Sequence, residues 1–525
     1  MNREMKKRMT IVHLLERNAK QWPDDVALVE INPDQPETRR VTWHEFELVE
    51  PSSRTKHYRR EITWNVFNEK ANRIANMLKG HGIGPGKKVA ILLMNCIDWL
   101  PIYFGILKTG ALAVPMNFRY AANEIEYCLN LAECSVMIFG PEFIGRVEEI
   151  ADHISQVALL FLGNGCPSFA DDLNELISES SSSYPECQLT EEDDAAIYFS
   201  SGTTGFPKAI LHKHRALIHS CRVEQAHHGQ TREDCFLCIP PLYHTGAKMH
   251  WFGSLLVGGK AVLLKDILID LDSGKLKKED FMLDQWRLMH IGAQPVPQSL
   301  IRRWLEYFPN HQYDTNYGLS ESIGPGAVHL GVENTRKVGA IGVPGYGWET
   351  KIVNPDMEEV RQGEVGELCL KGPGVMICYY NNPEATAETL KDGWLLTGDM
   401  AMQDEEGFIY LVDRKKDVVI SGGENLYPVE IENFMAGFKA IKDVAVIGLP
   451  DSRLGEIAAA IVELVPGVDC TVEDINEFCL GMPRYKRPRK IILAPVPRNA
   501  TGKIEKPKLR KMYGGEALVD SQNKA

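Results

Sequence analysis

The sequence predicts an α/β fold in two parts. The larger, N-terminal part is expected to hold stacked, parallel-type sheets with helices, together with a small β-barrel-like subdomain. The smaller, C-terminal part is expected to be α+β. Three observations predict this. Short apolar runs alternate with amphipathic helical stretches up to about residue 340. The texture then turns to short strands and turn residues. Beyond Asp413, strand, helix and strand signals follow one another closely. Strands alternating with helices argue for parallel sheets, whereas closely spaced short strands argue for a β-rich unit.

The segments bear this out in order. ANRIANMLKGHGIGPG reads as an amphipathic helix ending at glycine, and KVAILLMN after it as a buried strand. WLPIYFGILKTGALAVPMN reads as helix then strand, and CSVMIFG and ALLFLG as further strands. SESSSSY, Ser178 to Tyr184, reads as a surface connection. AAIYF is a strand leading into a glycine- and hydroxyl-rich loop. DCFLCIP reads as a buried strand. ETKIVNPDMEEVRQGEVGELCLKG carries the β-rich texture. Two strand-like runs then flank a charged turn, Asp413 to Asp417, which suits a hinge between domains. After it PVEIENFMAGF reads as helix, and DVAVIGLPD and AAAIVELVP as strands. RRVTWHEFE and RREITWNVFNE repeat a Thr-Trp-x-x-Phe pattern at Thr42 and Thr63, which points to a local duplication or an assembly join.

Composition narrows the function classes. The 525 residues are 44% hydrophobic and 25% charged, which excludes a disordered or fibrous chain. At roughly 150 residues per domain the length suits three or four units. The 58 basic and 71 acidic residues leave a net charge of −13, which disfavours nucleic acid as a partner. The N-terminal apolar run stops at Leu15, short of a secretory core. The most apolar long stretch, Trp99 to Met116, is interrupted by Pro101, Lys108 and Gly110, so no integral membrane segment is expected. Twelve scattered cysteines, with Cys235 and Cys238 the lone C-x-x-C, fit a reducing, cytoplasmic compartment rather than a metal site.

The chemistry concentrates after the AAIYF strand. Ser200, Ser201, Gly202, Thr203, Thr204 and Gly205, with Lys208 closing the segment, supply four hydroxyls, close-approaching backbone and one ammonium. Such a loop suits a polyphosphate. Ala209 follows the lysine, so the Walker pattern is not met.

SSGTTGFPKA resembles the signature loop of the adenylate-forming superfamily of acyl-CoA synthetases, aryl-CoA ligases, luciferases and peptide-synthetase adenylation domains. PPLYHTGA, YGLSES, GWLLTGD, DRKKDVVISGGENLYPVEIE and PRNATGKIEK resemble further family motifs, in the family's order. The resemblance implies that ATP activates a carboxylic acid to an acyl-adenylate with release of pyrophosphate. Coenzyme A then displaces AMP. It implies that Thr203, Thr204 and Lys208 hold phosphates and that Glu321, after Ser320, binds Mg²⁺. Gly292, Ala293 and Gln294 line adenine, Tyr317 and Gly318 carry the base-stacking motif, and Asp399 with Arg414 takes the ribose. Lys503 bridges carboxylate and α-phosphate. Lys416 is the hinge of a mobile C-terminal domain, 414–525, against a large domain, 1–413. Turning about it removes Lys503 and brings Gly422 and Gly423 to the thiol tunnel. His244 either gates the acyl pocket or is a packed core residue.

The chain departs from the family at the doubled Thr-Trp segment and between Ile267 and Gly292, where a helix and strand are expected but the residues are few and polar. Two alternatives therefore stand beside the ligase: an adenylation enzyme loading a carrier protein in trans, and a non-catalytic homologue impaired by the short segment. A homodimer is compatible with either.

Overall fold

A computed structural model describes residues 9–32, 58–200, 207–238, 241–263, 286–291, 298–309, 311–330, 336–498 and 504–514. Ser201, Gly202, Thr203, Thr204, Gly205, Gly292, Ala293, Gln294 and Lys503 lie outside the described residues. So do the first Thr-Trp copy and positions 264–285.

The alternation seen in the sequence becomes an eight-stranded sheet. Its parallel centre is Lys88–Leu92, Leu112–Pro115, Val136–Phe139 and Ala158–Phe161. All but the first residue of Lys88–Leu92, and the whole of Leu112–Pro115 and Val136–Phe139, are buried, as strands covered on both faces must be. The helix Trp64–Gly80 starts where Thr63 Oγ1 accepts the Val66 N–H. It sets Trp64, Phe67, Ile74 and Leu78 into the core against Phe104 and Trp251.

Beside the parallel strands lies an antiparallel hairpin. Asp194–Ser200 pairs in parallel with Leu112–Pro115 and antiparallel with Lys208–Lys213. Cys378–Tyr379 adds an antiparallel edge. A second sheet joins Cys235–Cys238, Lys260–Leu263, Val26–Asn32 and Tyr58–Thr63. A third joins Leu288–Ile291, Gln312–Tyr317, Ala327–Leu330 and Val343–Pro344. The β-rich texture becomes a five-stranded antiparallel sheet built on Glu349–Val353, Gly366–Lys371, Trp394–Gln403 and Ile409–Arg414, with Leu390–Lys391.

The last sheet draws only on residues after 418: Val419–Ser421, Glu424–Leu426, Ile441–Asp451, Gly455–Leu464 and Lys490–Leu493. It has its own core, with Val446, Ala460, Ile475 and Met435 on one face and Ile447, Ile461 and Leu509 on the other. The architecture is thus a large multi-sheet α/β body and a smaller α+β body.

Two local expectations change. DCFLCIP does form a strand, but Cys235 is exposed and only Cys238 is buried. The serine-rich connection is on the surface yet tied down: Asn72, Arg73 and Asn76 of the Trp64–Gly80 helix donate to the carbonyls of Ser182, Ser180, Ser181 and Ser183. All twelve cysteines are free thiols. Among the described residues, no helix is long and apolar enough to cross a membrane.

Candidate active site

The hydroxyl-rich loop is carried on the hairpin. Ser200 and Lys208 are cross-strand partners, so the structure places both ends of the loop side by side. The Lys208 ammonium lies 4.6 Å from the centre of the Tyr379 ring, which sits on the neighbouring edge strand. Tyr379 donates its hydroxyl to Glu321 Oε1 at 2.8 Å, and the Met376 N–H binds the Glu321 carbonyl at 2.8 Å. Burial and the adjacent Glu321 carboxylate push the Tyr379 hydroxyl far above its ordinary pKa, so it stays a donor. Lys208, Tyr379 and Glu321 therefore form one group, with a cation over the ring of a phenol and a carboxylate at its hydroxyl.

The YGLSES segment is shaped to reach this group. Tyr317 ends the Gln312–Tyr317 strand, and the chain turns back so that Leu319 N–H binds Ser322 Oγ at 2.9 Å and Ser322 Oγ binds Gly324 O at 2.9 Å. His212, on the hairpin, binds the Ser320 carbonyl through Nε2 at 2.8 Å. Burial lowers its pKa to about 4, which keeps the ring neutral and fixes the turn against the hairpin. A Cβ at Gly318 would stand 2.5 Å from Gly324 O, a backbone atom. Gly318→Ala is therefore expected to cost about 1–3 kcal/mol, as overpacking does. Its thermal midpoint and nucleotide affinity should both fall. If neither moves, the turn is looser than these contacts state.

A second group is built where the five-stranded sheet meets the same turn. Asp399 and Arg414 are cross-strand partners. Asp399 is 5% exposed and takes the Tyr317 hydroxyl on Oδ2 at 2.5 Å and Arg414 Nε on Oδ1 at 2.8 Å. Its N–H is held by Thr397 Oγ1 at 3.1 Å, and Thr397 is anchored on the Leu368 carbonyl at 2.7 Å. Burial, then the neighbouring carboxylate, raises the Tyr317 pKa well above its usual value. The carboxylate in turn raises that of Arg414. A buried carboxylate with its donors aligned is a preorganised acceptor.

The structure thus brings Ser200, Lys208, Ser320 and Glu321 together on one side, and Tyr317, Gly318, Asp399 and Arg414 on the other. His244 is half-buried at the start of the Thr245–Val257 helix with its N–H on the Pro241 carbonyl at 3.0 Å. Tyr243 beside it packs edge-on against Phe118 at 5.3 Å. Gly422 and Gly423, both at positive φ, form the two-residue turn between Val419–Ser421 and Glu424–Leu426.

Lys416 sits between opposing attachments. Lys415 bonds the Gly398 carbonyl through N–H at 2.9 Å and Glu367 Oε2 through Nζ at 2.8 Å, both in the five-stranded sheet. Asp417 takes Arg510 of the C-terminal helix at 2.7 Å. One bond crosses back, from Val429 N–H to Asp413 Oδ2 at 2.8 Å. Asp413 is buried, and desolvation, opposed by Lys506, lifts its pKa to about 6. The folded chain therefore holds a proton between about pH 4 and 6 that the unfolded chain has released. Stability declines as pH rises through that window and is level above it. Relative to Asp413→Asn, the protein should lose up to about 3 kcal/mol between pH 4 and pH 7. Parallel pH profiles of the two unfolding midpoints would remove the assignment.

Sequence reasoning missed Tyr379 and Glu367, which belong to no recognised motif, and gave no role to Thr397 and Ser322, which lie inside GWLLTGD and YGLSES. Lys506 and Arg510, near the end of the chain, are not solvated charges. They are paired with Glu432 at 2.8 Å and with Asp417.

Comparison with known proteins agrees with this geometry. The AMP-binding enzyme family model matches residues 15–280 and 265–380, two stretches that overlap inside the short, polar segment. The AMP-binding enzyme C-terminal domain matches residues 430–503. A long-chain-fatty-acid–CoA ligase, FadD13, from Mycobacterium tuberculosis is 33% identical over 490 residues, covering 89% of this chain and 95% of that one. A feruloyl-CoA synthase from an Amycolatopsis species is 30% identical, covering 87% and 95%. Among solved structures, the anthranilate CoA ligase AuaEII in complex with anthranoyl-AMP superposes with a TM-score of 0.83 at 25% identity, covering 96% of this chain and 97% of that one.

Proposed function

Because this chain belongs to the AMP-binding enzyme family, we propose that it works as an acid–thiol ligase. It activates a carboxylic acid with ATP, giving an acyl-adenylate and pyrophosphate, and passes the acyl group to coenzyme A, giving acyl-CoA and AMP. The observation that carries this reading is Asp399, buried and gripped by Tyr317 and Arg414, beside a Lys208–Tyr379–Glu321 group at the mouth of the hydroxyl-rich loop.

The residue roles follow from chemistry. The acid oxygen attacks the α-phosphorus, and the bond to pyrophosphate breaks. Charge grows on the phosphate oxygens, so catalysis is positioning and electrostatic stabilisation. Lys208 and the loop from Ser200 to Gly205 hold the β- and γ-phosphates. Asp399 accepts the ribose hydroxyls, Arg414 steadies that carboxylate, and the Tyr317 ring faces the base with Gly292, Ala293 and Gln294. Lys503 is the mobile cation between the acid and the α-phosphate. Glu321 fits Mg²⁺: a hard cation wants oxygen ligands and keeps waters, so one carboxylate suffices, and when bound it would neutralise phosphate charge. Tyr379, holding Oε1 of that carboxylate, orients it.

The proposed domains are 1–413 and 414–525; the pivot at Lys416 is supported by the chain's attachments, which change from the large body to the small one between Lys415 and Asp417, with Arg414 and Lys415 still bonded to the large body's sheet. Turning there exchanges Lys503 for the Gly422–Gly423 turn and requires the Asp413–Val429 bond to open. Lys416→Pro, which fixes φ, is expected to slow thioester formation while sparing adenylation. An unchanged thioester step would remove Lys416 as pivot. His244, half-buried at the start of its helix, is read as the gate to the acyl pocket, with a packed core residue as the alternative. The chain is taken to act in the cytoplasm, as a monomer or homodimer.

Exchange of labelled pyrophosphate into ATP, run against a panel of fatty, aryl and carnitine-like acids, tests the reading. Acid-dependent exchange, followed by AMP release that requires coenzyme A, is the expected result. Absence of exchange with every acid overturns it, and AMP release that ignores coenzyme A points instead to a carrier protein.

A further inference from the structure

A second cluster of reactive side chains lies away from the groups above. The helix His214–His228 ends over the edge of the third sheet. There, His290 and Asp314 are register partners on adjacent parallel strands, Leu288–Ile291 and Gln312–Tyr317. Asp314 Oδ2 meets His228 Nε2 at 2.7 Å and His290 Nδ1 at 2.8 Å. The two imidazoles stand edge to face, 5.2 Å apart. Glu224, one helical turn before His228, meets its Nδ1 at 2.9 Å. Asp314 and Glu224 side chains are fully buried, His228 is 5% exposed and His290 11%. One nitrogen from each histidine and one aspartate oxygen lie within 4.8 Å of one another.

We propose that His228, His290 and Asp314 form a structural site for a divalent transition-metal cation of the Zn²⁺ class, with Glu224 as the outer carboxylate that orients His228. Four features support this. Two imidazoles and one carboxylate are a donor set for Zn²⁺ rather than for Mg²⁺ or Ca²⁺. A carboxylate on the far nitrogen of a ligating histidine fixes its tautomer and raises its basicity. Two carboxylates buried beside two imidazoles are balanced by one divalent ion as well as by two protons, and burial makes an unbalanced set costly. The fit is also close in space. Metal–ligand bonds of about 2.0–2.2 Å need ligand atoms roughly 3.3 Å apart, so the two Asp314 contacts lengthen by about half an ångström while the two imidazole nitrogens, within 4.8 Å of one another, draw together.

Binding is an exchange. His228 releases its Nε2 proton to solvent and keeps Nδ1–H on Glu224. His290 releases to solvent the Nδ1 proton it directs at Asp314 and keeps Nε2–H, leaving Nδ1 to the metal, so two protons leave as one divalent ion enters. Arg287, just before the Leu288–Ile291 strand, donates to the His228 carbonyl at 2.9 Å and pairs with Asp234. The ion would tie the helix to the two strands whose next residues are Gly292 and, three positions after Asp314, Tyr317. It steadies the approach to the nucleotide site without touching it, and it does not depend on the adenylation reading.

The test uses the full chain, stripped with a chelator and titrated with Zn²⁺ or Co²⁺. The expected results are one equivalent of Zn²⁺ retained through gel filtration, a higher thermal midpoint, and a visible ligand-field absorption with Co²⁺. Asp314→Asn and His290→Gln should lose all three. Glu224→Gln should weaken binding by about 10–100-fold, and Glu321→Gln should leave it intact. No retained metal, or a Co²⁺ spectrum unchanged in both Asp314→Asn and His290→Gln, overturns the site. If those variants do not fold, X-ray absorption of the Zn²⁺-loaded unsubstituted protein decides. Two imidazoles in the first shell support the site, and a sulfur shell or an all-oxygen shell overturns it.

Discussion

Lys503→Ala lowers acid-dependent exchange of pyrophosphate into ATP by about 10²–10³-fold, the loss that follows removal of one preorganised charge stabiliser. Thioester formation from a supplied acyl-adenylate stays near that of the unsubstituted protein. The split follows from where charge develops. In the first half-reaction the acid and the α-phosphate are both anionic, and an ammonium between them lowers the barrier to their approach. In the second, on the proposed rotation, Lys503 has been withdrawn before AMP leaves with the phosphate charge. A flexible, fully charged side chain suits a role that must be removed as well as supplied. Arg498 and Ile504, on either side of its segment, pair in a bridge, and the helix Lys506–Tyr513 follows at once, so the residue is delivered by a firmly based part of the small body. Equal loss in both half-reactions would contradict this assignment.

Asp399→Asn is the second large effect. The substitution keeps the size of the side chain but removes its charge and replaces one acceptor with a donor. That donor would face either the Tyr317 hydroxyl or Arg414. Hydrogen bonds to a charged group contribute about 1.5–3 kcal/mol each. Losing one or two of them at the ribose should raise the KM for ATP by at least tenfold (about 1.4 kcal/mol). Arg414 loses the partner that raises its pKa, and the thermal midpoint falls as well. Tyr317→Phe separates the contributions: it keeps the ring against the base, frees Oδ2, and should weaken ATP less than Asp399→Asn does. A KM for ATP that is the same in Asp399→Asn as in the unsubstituted protein rules out the ribose role.

Much of the fold was legible because local patterns decide it. The runs VAIL, LAVP and VMIF are apolar throughout, and strands buried on both faces have to be. The site motifs were legible because each is contiguous in the chain. What stayed hidden depends on pairing between distant residues. Tyr379 reaches Glu321 because its strand pairs with Lys208–Lys213, some 170 positions earlier, and nothing in the run ICYY marks that partner. His228, His290 and Asp314 come from three separate elements, and none has the spacing of a metal motif. The exposure of Cys235 reflects its place on an edge strand, at the end of the second sheet, which its apolar neighbours do not reveal.

Among the described residues, the final sheet shares no strand with the four that precede it. A swing about Lys416 therefore unzips no ladder; the observed ties to be released amount to a few hydrogen bonds, each contributing roughly 1 kcal/mol net. Inverting a two-state population from 1:99 to 99:1 takes about 5.5 kcal/mol. Reactants whose affinities for the two orientations differ by that amount would be enough to decide which way the proposed pivot turns.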